Sequence, residues 1–153
     1  MSHVARKRVY LDVCCLHRPT DDLSIDRNRL EAEAILAIVA HAQRGDWDMV
    51  GSRAIEYEVG RCSDPARRQA ATELASAAAL VVAVGRVDYE RAAELGRLGF
   101  ASLDALHVAC AEAAECCVLL STHDALSRTA RRHRSALRIS VENPLAWLME
   151  QET

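Results

Sequence analysis

Short apolar runs rich in β-branched residues alternate with stretches of helical periodicity along almost the whole chain. The runs cover residues 9–15, 49–52, 80–84, 118–121 and 138–141. Between them, apolar residues recur at three-and-four spacing, which is typical of helices with one buried face. Strands that alternate with helices favour a parallel sheet covered on both faces and joined by right-handed crossovers. The sequence therefore predicts an α/β protein with a central parallel sheet.

The chain has the length of one domain. A domain of 153 residues buries roughly 70% of the surface that its unfolded chain exposes, which is enough for a core without cross-links. No repeat, low-complexity linker or change in composition divides the sequence. We predict a single domain over residues 1–153, with a core at about 9–141 and a C-terminal cap at 142–153.

Composition narrows the cellular setting and the kind of partner. Six cysteines include two adjacent pairs in apolar surroundings, and the N-terminus lacks an apolar run of signal-peptide length, so we expect thiols in a reducing cytoplasm. No run approaches the roughly 18 apolar residues that span a bilayer, so we expect no membrane partner. The net charge of −3 argues against bulk electrostatic wrapping of nucleic acid. Any activity on nucleic acid must come from a local site.

Four acids fall at positions that a parallel sheet brings together. Asp12 lies in the middle of the first predicted strand, Glu58 on the helix after the second strand, Asp104 at a helix start and Asp124 just after the fourth strand. Sites in such sheets form at the carboxyl ends of strands. Clustered carboxylates repel each other, and a hard divalent cation with oxygen ligands cancels that charge.

The segments that carry these acids resemble the four motifs of the PIN-domain family. They read VYLD at 9–12, Ser52 with Glu58 six residues later, DALHVA at 104–109 and STHD at 121–124. In this order and spacing they look like the VapC-like ribonucleases of bacteria and archaea. The resemblance implies a three-layer α/β/α PIN-like fold.

The same resemblance implies a set of site residues. Asp12, Glu58 and Asp104 would be the main acids, Asp124 the fourth, and Thr122 a hydroxyl that orients a carboxylate or water. In the family these acids bind Mg²⁺ or Mn²⁺, which activates a water to hydrolyse RNA. A homodimer is also implied, with a small antitoxin protein as partner where the chain acts as a VapBC-type toxin.

Several assignments stay open at the level of sequence. Glu56 competes with Glu58, since both lie on one short helix but on different faces. His107, one turn beyond Asp104, could be a metal ligand or proton shuttle, but a histidine on a helix is more often a surface or core residue, and we interpret it so. His123 is also interpreted as structural, because metal activation of water already supplies the base function. The basic residues Arg128, Arg131 and Arg132 either contact phosphates beside the scissile one or form a solvated face.

Two other functions are weighed against the nuclease. A HAD-type phosphatase also begins with Asp after a strand, but it needs a second Asp two residues later, where this chain has Cys14. A PIN-like module without catalysis would serve as a binding partner; the presence of all four acids argues against it.

Overall fold

Five parallel strands form a central sheet in the order β3-β2-β1-β4-β5. The computed structural model describes residues 6–152. The strands are β1 Arg8–Leu11, β2 Asp48–Ser52, β3 Leu80–Val82, β4 Val118–Leu120 and β5 Ser140–Glu142. Helices cover both faces, so the predicted three-layer α/β/α architecture is confirmed.

Within the described residues, eight α-helices connect and flank these strands. They are α1 Val13–His17, α2 Asp26–Gln43, α3 Arg53–Gly60, α4 Pro65–Ala75, α5 Arg86–Arg97, α6 Ser102–Ala113, α7 Asp124–Arg132 and α8 Pro144–Gln151. Side-chain oxygens of Ser52, Asp64 and Asn143 accept hydrogen bonds from backbone N–H groups at the starts of α3, α4 and α8. These bonds satisfy donors that a helix start otherwise leaves unpaired. None of the helices in this part of the chain is both long and apolar enough to cross a membrane.

The first strand is shorter than predicted. Residues 9–15 were expected to form one strand with Asp12 in its middle, but β1 ends at Leu11 and α1 follows at once. Asp12 is the N-cap of α1, and its side chain accepts a hydrogen bond from the backbone N–H of Val13. A hydrophobic run alone cannot separate a buried strand from a buried helical turn. The cap places Asp12 at the carboxyl end of β1.

The strand order puts a topological switch point at that end of β1. The chain runs from β1 outward through β2 to β3, and then crosses to the other side of β1 to form β4 and β5. Leu11 pairs with Leu120, and the N–H of Asp12 donates to the carbonyl of Leu120 at 2.9 Å. Connections that leave in opposite directions open a crevice at such a point. The residues that follow β1 and β4 line that crevice.

Helix α8 lies within residues 142–153, the segment predicted to form a C-terminal cap. It packs against α2, and its Trp147 is 4% exposed. The Trp147 ring meets Trp47 edge-on, with centroids 4.9 Å apart. Both tryptophans belong to the main cluster of buried hydrophobic side chains. Residues 1–5 and 153 of the predicted domain lie outside the described residues.

Replacement of Trp147 by alanine tests the contribution of α8. We expect Trp147→Ala to lower the free energy of unfolding by about 3–5 kcal/mol, because a large buried ring is replaced by a cavity. Met149 lies on the same helix but is 60% exposed, so Met149→Ala should change it by less than about 0.5 kcal/mol. Urea denaturation of the two variants measures both values. Equal effects would contradict the packing described for α8.

Candidate metal centre

Asp12 is a buried carboxylate held by three donors. Asp12 is 4% exposed. Oδ1 accepts from the N–H of Val13 at 2.8 Å, and Oδ2 accepts from Ser121 Oγ at 2.9 Å and Cys14 Sγ at 3.3 Å. An ionised carboxylate offers about four acceptor positions, so these three bonds leave room for one more ligand.

Glu58 and His107 contact each other near Asp12. Glu58 Oε1 on α3 lies 2.8 Å from His107 Nε2 on α6. The His107 side chain is 1% exposed, whereas that of Glu58 is 31% exposed and borders solvent. On its other side, His107 Nδ1 lies 2.6 Å from the hydroxyl of Tyr10, which is 2.8 Å from Ser52 Oγ. A buried chain of hydrogen bonds therefore links α6 through β1 to the end of β2.

Asp12, Glu58 and His107 together could hold a metal ion. One ligand atom from each lies within 4.8 Å of the others. Oxygen and imidazole nitrogen atoms bind divalent metals at about 2.0–2.2 Å, so small side-chain adjustments bring all three to a common ion. The donor set and its burial therefore fit a divalent cation.

Asp104 adds a further negative charge beside this group. It lies on the first turn of α6, and its Oδ2 is 3.4 Å from His123 Nδ1. Burial raises the pKa of the Asp104 carboxyl, and the charge of Asp12 raises it further. Such a shift marks a place where the ionised form is disfavoured and a cation would relieve the repulsion.

Asp124 has a different partner. Its Oδ1 and Oδ2 accept from Arg27 Nη2 and Nη1 at 2.8 and 2.9 Å. Hydrogen bonding from Arg27 lowers the pKa of Asp124, whose side chain is 59% exposed. The carboxylate is thus clamped to α2. Its role as a fourth metal ligand stays a prediction, and that role would require the Arg27 pair to open.

The hydroxyl that contacts a site carboxylate belongs to Ser121. The motif resemblance gives its neighbour Thr122 the role of orienting a carboxylate or water, and that role stays a prediction. The backbone of Thr122 donates its N–H to Cys14 Sγ at 3.3 Å and accepts from Arg27 at its carbonyl. Ser121 directly follows β4 beside β1, and strand register is the signal that distinguishes it from Thr122.

The two glutamates of α3 point to different environments. Glu56 is exposed and accepts from Arg53 Nη1 at 2.6 Å, one turn earlier on the helix. Glu58 contacts His107. This placement favours Glu58 over Glu56 as the acid of the centre. From sequence, His107 was interpreted as a structural residue. It is buried, and its Nε2 also contacts the carboxylate of Glu58.

A cleft of about 420 Å³ opens over this end of the sheet. Its lining residues are Cys14, His17, Arg18, Asp21, Glu58, Arg67, Thr122 and His123. Arg67 also hydrogen-bonds Asp21 at 2.8 Å, and burial together with the charge of Arg67 lowers the pKa of His17. The cleft therefore brings the carboxylates of Glu58 and Asp21 together with the guanidinium groups of Arg18 and Arg67.

The arginines singled out from sequence do not line this cleft, although Arg131 lines another pocket together with Asp124. Arg128, Arg131 and Arg132 are exposed on α7. Arg131 lines a separate pocket with Arg134 and Arg138. No role was assigned from sequence to Arg18, which lies six residues after Asp12, or to Arg67, which adjoins none of the four motifs.

Comparison with known proteins bears on the fold. No protein-family model matches the sequence, and no curated protein is a significant match. Among solved structures, the chain is similar to one described as VapBC2 from Rickettsia felis bound to a DNA fragment from their promoter. The similarity covers 89% of this chain and 98% of that chain, with a TM-score of 0.51 and 15% identity. The chain has a PIN-like fold. At 15% identity the similarity concerns the fold alone and not the substrate.

The raised pKa of Asp104 predicts a pH-dependent effect of its replacement. A carboxyl with a raised folded-state pKa contributes most to stability below its unfolded value of about 3.9, and that contribution is lost as the pH rises through the folded value. At pH 7.5 in EDTA we therefore expect Asp104→Asn to raise Tm by about 2–4 °C, equivalent to about 1 kcal/mol. The gain should shrink as the pH falls toward 4.

Asp124→Asn is the matched control for this measurement. It removes a carboxylate that is favourably paired with Arg27, so Tm should stay constant or fall. Calorimetry over the pH range compares the two variants. Destabilisation by Asp104→Asn at pH 7.5 would show that its charge is compensated in the metal-free protein.

Proposed function

We propose that the chain is a metal-dependent endoribonuclease that hydrolyses RNA phosphodiester bonds. The observation that carries this proposal is the convergence of Asp12, Glu58 and His107 ligand atoms within 4.8 Å, with Asp104 beside them. The group lies at the switch point of a PIN-like sheet, where α/β proteins place their sites. The four-motif resemblance supports RNA as the substrate.

Each residue has a distinct part in the proposed reaction. Asp12 and Glu58 would hold a divalent cation, Mg²⁺ or Mn²⁺, and the charge of Asp104 would lie beside it. When bound, such a cation would lower the pKa of a water and offset charge on the scissile phosphate. Ser121 fixes the Asp12 carboxylate in one orientation through its 2.9 Å hydrogen bond. No side chain needs to act as nucleophile.

Two arginines that line the cleft would position the substrate. Arg18 and Arg67 line the same cleft as Glu58, and guanidinium groups bind phosphate oxygens with two N–H donors. Such contacts fix the register of the RNA without reading its bases. Contacts from Arg128, Arg131 and Arg132 to more distant phosphates stay a prediction from the sequence.

The two alternatives have weaker support. In a HAD-type phosphatase an acid would stand at Cys14, but here Cys14 Sγ contacts Asp12 at 3.3 Å and Ser121 at 3.3 Å. A binding module without catalysis gives no reason for Glu58 and Asp104 to lie near the buried Asp12, whose charge raises the pKa of Asp104.

Cleavage of labelled mixed-sequence RNA tests the nuclease proposal. We expect cleavage in Mg²⁺ or Mn²⁺ and none in EDTA. Asp12→Asn and Glu58→Gln should each slow cleavage by at least about 100-fold, the size of effect of one lost electrostatic contact in an active site. Glu56→Gln is the control on the same helix and should cleave like the unmodified chain. Full activity of Asp12→Asn, or cleavage in EDTA, would refute the assignment.

A toxin role is the finer part of this proposal. The similar structure is described as VapBC2, and the resemblance of the motifs is to VapC-like ribonucleases. We expect expression of the chain to arrest bacterial growth, Asp12→Asn to relieve the arrest, and a small protein encoded beside it to block cleavage. Growth unaffected by an active nuclease would separate the enzyme from the toxin role.

A homodimer, also proposed, would give a light-scattering mass of about twice 16.8 kDa.

A further inference from the structure

Nitrogen and oxygen donors meet at the candidate metal centre. His107 Nε2 lies 2.8 Å from Glu58 Oε1, and a ligand atom of Asp12 is within 4.8 Å of both. Two atoms bound about 2.1 Å from one ion lie about 3 Å apart when they subtend a right angle. The His107 and Glu58 side chains therefore already have the separation of adjacent ligands.

The other ring nitrogen determines whether Nε2 can donate its lone pair to a cation. In a neutral imidazole one nitrogen carries the proton and the other accepts. His107 Nδ1 is 2.6 Å from the Tyr10 hydroxyl, which is 2.8 Å from Ser52 Oγ. Tyr10 can accept from Nδ1–H while its own O–H donates to Ser52. With the chain in this direction, Nε2 is free of the ring proton and can bind a cation. In the metal-free protein the 2.8 Å contact with the Glu58 carboxylate, which only accepts, places an N–H at Nε2, so a bound cation would take the place of that proton.

This arrangement is the outer-shell pattern of metal-bound histidines. Such a histidine donates its second ring N–H to a fixed acceptor, which sets the tautomer and the ring orientation. Tyr10 and His107 are both buried, so neither group can exchange its partner for solvent. The Nε2 edge of the ring contacts Glu58 and has a ligand atom of Asp12 within 4.8 Å.

We propose that His107 Nε2 is a direct metal ligand, and that the centre consequently selects a first-row transition ion such as Mn²⁺ over Mg²⁺. The inference rests on the proposed function, because it requires a divalent cation between Asp12 and Glu58. Mg²⁺ prefers oxygen ligands and retains its waters, whereas imidazole suits the later first-row metals. A set of two carboxylates and one buried imidazole discriminates in favour of the latter.

Electron spin echo spectroscopy of the Mn²⁺-loaded protein is the direct test. A directly bound imidazole gives ¹⁴N modulation of the Mn²⁺ signal. We expect this modulation in the unmodified chain, its loss in His107→Asn, and its retention in His123→Asn. His123 is the matched control because its Nδ1 lies 3.4 Å from Asp104 but it is not part of the three-residue group.

Competition between metals provides a second readout. The Mn²⁺ signal reports how much Mg²⁺ is needed to displace Mn²⁺. We expect at least about tenfold preference for Mn²⁺ in the unmodified chain and near-equal affinities in His107→Asn, which offers an amide oxygen in place of nitrogen. Tyr10→Phe should weaken Mn²⁺ binding by about 10–100-fold, as loss of an outer-shell partner does. The circular dichroism spectrum identifies any variant that fails to fold.

The outcomes separate this inference from the proposed function. Mn²⁺ bound without ¹⁴N modulation in the unmodified chain would overturn the ligand role of His107 and leave the carboxylate centre standing. Equal affinities of the unmodified chain for Mg²⁺ and Mn²⁺ would overturn the selectivity. Failure of the folded, unmodified chain to bind either ion would overturn the metal centre itself, and the nuclease proposal with it.

Discussion

The candidate site depends on one buried carboxylate at the end of the central strand. Burial of an ion costs several kcal/mol, and Asp12 is 4% exposed. Hydrogen bonds to charged groups return about 1.5–3 kcal/mol each, and Asp12 accepts three, from Val13, Ser121 and Cys14. Those donors come from both sides of the switch point. The carboxylate that organises the chemistry therefore also ties β1 to the chain segment after β4.

A second set of contacts extends this organisation across the sheet. Glu58, His107, Tyr10 and Ser52 form a continuous series of hydrogen bonds that joins α3, α6, β1 and β2. Ser52 also accepts from the N–H of Ile55, so the helix that presents Glu58 begins at the residue that ends the series. Because every member is fixed by the next, the position of Glu58 is determined by the backbone of three other elements. Polar networks of this kind are costly when incomplete and rigid when satisfied.

Sequence was sufficient for the architecture, but not for the contacts of the acids that it predicted for the site. Alternating apolar runs predicted the parallel sheet, and the motif spacing pointed to Asp12, Glu58 and Asp104. Periodicity could not show that β1 stops at Leu11, because a capped helical turn of apolar residues looks like a strand. The pairing of Asp124 with a residue on α2 is likewise invisible, since it depends on how two helices pack. A contact across 49 residues, such as that between Glu58 and His107, requires the fold.

The double role of Asp12 has an evolutionary consequence. The carboxylate is both the cap of α1 and a candidate metal ligand. Asparagine is about as good a helix cap as aspartate, so exchange of one oxygen for an amide nitrogen removes the charge and retains the cap. This single change would remove the charge from the candidate metal centre and leave the fold intact. Alanine at the same place would remove both, so inactive descendants of this fold should retain a polar residue there.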